Sequence, residues 1–72
     1  MKEGTMIYDA RNDRMDIRFG LEEYDGGLHC GECLEVKIDD QWVQTRIEMQ
    51  WPDEWYLVGI KTNNLQGLKV RI

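Results

Sequence analysis

Hydrophobic and polar residues alternate over a long stretch in the second half of the chain, Cys33–Ile60. Apolar side chains occupy every second position of residues 34–38, and a second alternating run, Trp42–Gln50, follows the polar cluster Asp39-Asp40-Gln41. A period of two puts one set of side chains on an apolar face and the other in water, which predicts β-strands. β-branched and aromatic residues dominate the stretch, so we expect strands joined by short turns and no helix here.

Further strands are predicted on both sides of this pair. The run Trp55–Ile60 is apolar on both faces, which is typical of a strand at the centre of a small barrel, and Pro52 marks the turn before it. Arg14–Phe19 alternates and predicts another strand. Met6–Tyr8 is short and apolar and predicts an edge strand, whereas residues 1–5 are expected to be a frayed, disordered start.

The end of the chain completes the predicted fold. Leu68, Val70 and Ile72 alternate with basic residues as a last strand, and Leu65 between turn residues predicts a short 3₁₀ turn before it. About five strands with short turns predict an all-β fold, a single small antiparallel barrel over residues 6–72. The inward-facing positions are predicted to be Met15, Ile17, Phe19, Leu34, Val36, Ile38, Val43, Ile47, Met49, Leu57, Val70 and Ile72.

Length and charge restrict the classes of function. A chain of 72 residues forms one small domain and buries only about 60% of its unfolded surface, which leaves little room for a deep catalytic cleft. The net charge of −5 disfavours non-specific binding to nucleic acid phosphates. Neither a leader peptide nor a run of ~20 apolar residues is apparent, so we expect a cytoplasmic protein without a membrane partner.

The charge is nevertheless uneven, and this leaves an alternative open. No acidic residue follows Glu54, whereas basic residues continue to the end of the chain. A nucleic-acid-binding barrel would use a basic strip on its last strands, and the residues available for it are Lys61, Lys69, Arg71 and Arg46.

The segment His29-Cys30-Gly31-Glu32-Cys33 is the strongest metal-binding candidate. A Cys-x-x-Cys pair supplies two zinc ligands, and His29 would supply a third. A structural zinc site needs four ligands, and a second Cys-x-x-Cys pair is missing from the sequence. We therefore predict no metal or other cofactor, and two free thiols in a reducing cytoplasm. A zinc-binding domain remains a further alternative.

Catalytic residue types are scarce in this chain. It contains one histidine and no serine, and its two cysteines lack a second histidine to act as a base. The sequence therefore predicts a protein that is not an enzyme.

The surface that remains combines acidic and aromatic residues, which suit a basic or proline-containing peptide. We predict a protein-interaction module whose partner is another protein or a peptide. Arg46 and Glu48 lie on one strand face, where a plain ion pair is the simpler interpretation, and Trp55 is expected to close the core. The predicted ligand-binding residues are Glu22, Glu23, Tyr24, Asp25, Trp42, Arg46, Glu48, Trp51, Asp53 and Glu54.

Four short motifs carry a resemblance to a known family. They are Leu28–Glu32, Trp42 with Arg46–Glu48, Trp55–Leu57, and Gly67-Leu68 with Val70, and they cover most of the chain from residue 28 onward. The chain resembles a family of short proteins from Gram-positive bacteria described only as a domain of unknown function. The resemblance implies a small β domain and supplies no activity or catalytic residues. The order of the predicted elements also looks like an SH3-like barrel, which implies a fold and no function.

Overall fold

The computed structural model describes residues 1–62 and 64–72 and contains six strands in this part of the chain, without a helix. All neighbouring strands are antiparallel, in the order β2-β1-β6-β3-β4-β5, and they form a curled half-barrel. The predicted all-β class is therefore confirmed. The strands are β1 Glu3–Asp9, β2 Arg14–Arg18, β3 Cys33–Ile38, β4 Gln41–Gln50, β5 Glu54–Leu57 and β6 Lys69–Arg71.

The β3–β4 hairpin follows the alternating pattern closely. Val36 lies opposite Val43 and Leu34 lies opposite Thr45, so the apolar positions of both strands share the inner face. The two-residue turn uses Asp39 and Asp40 at φ values of 50° and 66°. Positive φ at both central residues gives the twist that a two-residue hairpin requires, and aspartate tolerates this conformation.

The N-terminal region differs from the expectation of a frayed start and an edge strand. Residues 3–5 belong to β1, which lies between β2 and β6 inside the sheet. Lys2 and Ile72 also exchange two backbone hydrogen bonds, of 2.6 and 3.0 Å. Backbone pairing on both sides holds this segment, although its first residues carry few apolar side chains to reveal it.

The central position predicted for Trp55–Ile60 is wrong. β5 ends at Leu57 and lies at one end of the sheet, and the chain turns at Gly59 with a φ of 78°. Trp55 is half-buried against the core, whereas Tyr56 is 41% exposed. The run looks apolar on both faces because Tyr56 is one of its outward-facing residues. In the structure this outward face of β5 is exposed to solvent.

The core is built from the inner faces of all six strands and from two loop residues. Phe19, Ile38, Val43 and Ile72 are partly buried against it, as predicted, but Met49 is 41% exposed. Met49 lies beyond the end of the β3–β4 ladder, which stops at Arg46, and among the strands described it pairs there only with Trp55 of β5. The fully or nearly buried hydrophobic residues are Met6, Met15, Ile17, Leu28, Leu34, Val36, Ile47, Leu57, Leu65 and Val70.

The connection between β2 and β3 helps to curl the sheet. Asp25 donates its backbone N–H to Ile17 at 2.9 Å, and Leu28 donates to Met15 at 2.8 Å. Further along, Ile47 of β4 exchanges backbone hydrogen bonds with this same connection, at Gly31 and Glu32. One loop thus contacts both β2 and β4.

A single hydrogen-bonded turn precedes β6. Leu68 donates its N–H to the carbonyl of Leu65 at 3.2 Å, and Gly67 between them has a φ of 91°. A 3₁₀ turn needs negative φ at every residue, so this is a β-turn with glycine at its third position and not the predicted 3₁₀ turn. Leu65 is buried. Within the part of the chain that the structure describes, no helix is long and apolar enough to cross a membrane.

Candidate functional site

Two adjoining grooves lie at the end of the sheet where the β1–β2 turn meets the β4–β5 turn, and Tyr8 lines both. The larger, of about 600 Å³, is lined by Ile7, Tyr8, Asp9, Ala10, Arg11, Asn12, Asp16, Tyr24 and Gly26. The smaller, of about 280 Å³, is lined by Tyr8, Met15, Asp53, Glu54, Trp55, Asn64, Leu65 and Gln66. We call this pair the acidic–aromatic groove.

Tyr8 is held in a defined orientation by three contacts. It lies opposite Met15 at the end of β1, and its N–H donates to the side-chain oxygen of Gln66 at 2.8 Å. Its hydroxyl donates to Asp13 at 2.5 Å, and this hydrogen bond is the main reason that the pKa of Tyr8 is raised. The residue is nevertheless 45% exposed. The ring is therefore accessible and already ordered before any ligand arrives.

Several carboxylates surround this ring. Asp9 accepts hydrogen bonds from the side chain of Asn12 at 2.8 Å and from the N–H of Arg11 at 3.0 Å. The Asn12 contact is the main reason that the pKa of Asp9 is lowered, so its charged form is favoured more than that of an ordinary aspartate. The charge of Asp53, across the groove, also contributes to the raised pKa of Tyr8. The lining residues of the two grooves thus include several carboxylates and one basic side chain, Arg11.

Tyr24 brings the predicted acidic loop to the edge of the groove. It is 49% exposed and forms an isolated bridge with Arg18 at the end of β2. Glu23 is paired with Lys2 and is half exposed. The pKa of the Asp25 carboxyl is raised, first by burial and then by the charges of Glu32 and Asp16. This loop contributes two of the residues that line the groove, Tyr24 and Gly26.

Asp16 shapes this loop, and sequence reasoning missed it. Its Oδ1 atom accepts three backbone N–H donors, from Ile17 at 2.7 Å and from Gly26 and Gly27 at 3.0 Å each. Both glycines have φ values above 100°, at 110° and 114°, where a side chain would be strained. Asp16 is 6% exposed, although its alternating position in β2 suggested a solvent-facing residue.

Trp51 and the acids beside it occupy the β4–β5 turn. Trp51 is 88% exposed, so its side chain does not close the barrel. Asp53 and Glu54 follow it and line the smaller groove. These residues are brought near Tyr8, which the sequence analysis treated only as part of an apolar strand. The signal for Tyr8 was its position at a strand end directly before the acidic turn.

Trp42 is not part of this groove. It lies at the opposite end of β4 from Trp51, on the outer face of the sheet. The Arg71 guanidinium lies 4.3 Å from its ring centre and the Lys37 ammonium lies 5.5 Å away, so cations of the same chain already cover it. Trp42 thus lies apart from the predicted residues that line the groove, Tyr24, Asp53 and Glu54.

Arg46 and Glu48 form an ion pair on the same outer face, with an Nε–Oε2 distance of 2.9 Å. Arg71 likewise pairs with Glu35 at 2.6 Å. Both arginines of the basic strip are therefore partly neutralised by glutamates of the sheet.

The cysteine segment forms a turn. Glu32 donates its N–H to the carbonyl of His29 at 3.0 Å, and Gly31 adopts a φ of 88°. Cys30 and Cys33 are both free and exposed. Within residues 1–62 and 64–72, no three histidine, cysteine, aspartate or glutamate side chains are grouped so as to hold a metal ion.

Comparison with known proteins identifies the family. The family model described as a domain of unknown function, DUF5348, matches residues 4–72. The chain belongs to the DUF5348 family. A solved crystal structure of a protein from the Gram-positive bacterium Ruminococcus gnavus is 57% identical in sequence, with a TM-score of 0.90. The match covers 97% of this chain and 99% of that one. No curated protein matches this DUF5348 chain.

Proposed function

We propose that this domain is a non-enzymatic protein-interaction module that binds a short basic or proline-containing segment of another protein. The observation that carries the proposal is the exposed Tyr8 ring, shared by two grooves and surrounded by carboxylates. The proposed binding surface differs from the one predicted from the sequence. It keeps Tyr24, Asp53 and Glu54, adds Tyr8 and Asp9, and omits Trp42, Arg46 and Glu48.

The chemistry of the groove supports this class of ligand. Aromatic faces pack against proline rings and against ammonium or guanidinium groups. Because the Tyr8 hydroxyl is already bonded to Asp13, binding would cost little side-chain entropy. The exposed Trp51 is two residues before Asp53, which lines the groove, and large aromatics contribute a disproportionate share of interface energy.

We also propose that the half-barrel is SH3-like and works in the cytoplasm. The last strand lies between β1 and β3, and a tight turn precedes it, which supports this more specific fold assignment. The two exposed free cysteines are compatible with a reducing compartment.

A peptide array tests the proposed function. The probes are decapeptides that carry lysine, arginine and proline in varied order, with acidic peptides of matched length as negative controls. We expect basic and proline-containing peptides to bind, and the double variant Asp53→Asn with Glu54→Gln to bind about three- to tenfold more weakly, since two nearby charges are lost.

The matched control removes the same charge at the other end of the β4 strand. Asp39→Asn with Asp40→Asn retains a residue type that tolerates positive φ and should leave peptide binding unchanged. Equal losses in both double variants would show that only overall charge matters. Tight binding of the acidic peptides would also contradict the proposed function.

A further inference from the structure

The strand β5 has one edge without a neighbouring strand. The N–H of Val58 donates to the carbonyl of Arg46 at 3.1 Å, which puts residues 54, 56 and 58 in hydrogen-bonded pairs with β4. The backbone groups of Trp55 and Leu57 therefore point the other way. The Leu57 carbonyl accepts from Ile60 at 3.1 Å. For the N–H groups of Trp55 and Leu57 and the Trp55 carbonyl, no partner occurs on that side among residues 1–62 and 64–72.

The smaller groove lies beside the start of this free edge. It is lined by Glu54 and Trp55 of β5 and by Tyr8 and Met15 of the β1–β2 hairpin. Leu65 also lines it and is 7% exposed. A sheet edge with unpaired donors and acceptors next to an open groove is a template for an added strand.

We propose that the β5 edge binds an extended, basic segment of a partner protein as an antiparallel seventh strand. This inference rests on the proposed function and specifies how the ligand binds. Backbone hydrogen bonds to Trp55 and Leu57 provide affinity, and the side chains on either side of the added strand provide specificity.

The alternation of β5 predicts the ligand sequence. Trp55 and Leu57 point inward to the core, so ligand residues directly opposite them share that apolar face. Glu54 and Tyr56 are exposed on the outer face, so the alternate ligand residues lie beside a carboxylate and an aromatic ring. A preferred ligand therefore alternates apolar residues with lysine or arginine.

Charge also favours a basic partner segment over a second copy of this chain as the strand that is added to β5. The free edge begins at Asp53 and Glu54, and the whole chain carries a net charge of −5. Association of two copies would bring together two chains that each carry this net charge, and like charges repel. A cationic segment instead gains from the same carboxylates.

The test uses a seven-residue peptide that alternates lysine and valine, and two N-methylated forms of it. In an antiparallel pair, the residue opposite Trp55 exchanges two hydrogen bonds with it, and the residue opposite Leu57 accepts one from the Leu57 N–H; both of these residues are valines. Methylation of the valine nitrogens should weaken binding about tenfold or more, because it removes a hydrogen bond and introduces a clash at the edge. Methylation of the lysine nitrogens, which face away, should leave the affinity nearly unchanged.

A second readout observes the protein itself. The backbone amides of Trp55 and Leu57 should exchange more slowly with deuterium in the complex, whereas the exposed amides of the β3–β4 turn should not change. Equal affinities of the two methylated forms, or no protection of these amides, would overturn strand addition. If binding then still weakens with Asp53→Asn and Glu54→Gln, the proposed function stands without it. If neither this peptide nor any basic array peptide binds at about 1 mM, both proposals fail.

Discussion

At the scale of single residues, two aspartates near the site have pKa values shifted in opposite directions. Asp25 is half-buried, and burial is the first cause of its raised pKa, followed by Glu32 and Asp16. Asp9 has a lowered pKa, chiefly because Asn12 donates a hydrogen bond to it. The charged form of Asp25 is therefore disfavoured in the folded protein, whereas that of Asp9, at the end of β1, is favoured.

This difference predicts opposite effects on the pH dependence of stability. The folded protein holds the Asp25 proton more tightly than the unfolded chain, so the contribution of Asp25 falls as pH rises from its ordinary value through its raised value. Asp25→Asn should gain stability relative to the wild type over that range. Asp9 contributes stability above its ordinary pKa that is lost as pH falls, so Asp9→Asn should be less stable at neutral pH.

Urea unfolding between about pH 3 and pH 7 measures both effects. The two differences from the wild type should have opposite signs at neutral pH, and both should shrink toward low pH. Effects of the same sign in the two variants would show that the environment of Asp25 is not the one described.

At the scale of elements, β1 depends on a glycine that its sequence pattern does not explain. A Cβ atom at Gly4 would lie 2.6 Å from the backbone oxygen of Arg18 and 2.6 Å from Cγ2 of Ile17. A backbone oxygen within a paired strand cannot move away easily, so β1 and β2 approach this closely only because residue 4 lacks a side chain.

Gly4→Ala should therefore destabilise the domain by about 1–3 kcal/mol, the usual cost of overpacking. Gly20→Ala is the matched control, since its Cβ would meet Glu23 at 3.8 Å, an ordinary contact, and should change stability by about 0.5 kcal/mol or less. Thermal unfolding of the two variants compares them directly. A Gly4→Ala variant as stable as Gly20→Ala would contradict the close packing of β1.

The elements that the sequence predicted well are those in which local pattern and tertiary pairing agree. In β3 and β4 the period of two coincides with burial, and Asp39-Asp40 supplies the turn between them. The length of β1 was underestimated and the strand was placed at a sheet edge, because its pairing on both sides uses backbone atoms, which leave no trace in the side-chain pattern. Trp55–Ile60 was predicted to be too long a strand and too central in the sheet, because apolar residues on both faces of a strand do not require a neighbouring strand on both of its edges.

The same reasoning explains which site residues were found. Trp51, Asp53 and Glu54 share a turn, so their proximity follows from sequence alone. Trp42 was wrongly joined to them, although nine residues of strand at about 3.3 Å each separate it from Trp51. The contribution of Tyr8 depends on Gln66 and Asp53, which approach it only through the fold.

At the scale of the whole molecule, the distribution of charge gives a negative prediction for nucleic acids. The net charge is −5, and the field of an acidic protein repels phosphate backbones. Four basic residues were candidates for a strip on the last strands. Arg46 is paired with Glu48 and Arg71 with Glu35, so two of the four have their charge partly offset by a neighbour.

The protein should therefore not shift single-stranded RNA in an electrophoretic assay at low micromolar concentration and physiological salt. The variant Glu35→Gln with Glu48→Gln releases both arginines, makes the chain less acidic by two charges and should increase any residual binding. A clear shift by the wild type, abolished by Lys69→Glu with Arg71→Glu, would instead favour the basic strip. Because those substitutions lie on β6, outside the acidic–aromatic groove, they should leave peptide binding intact and so separate the two functions.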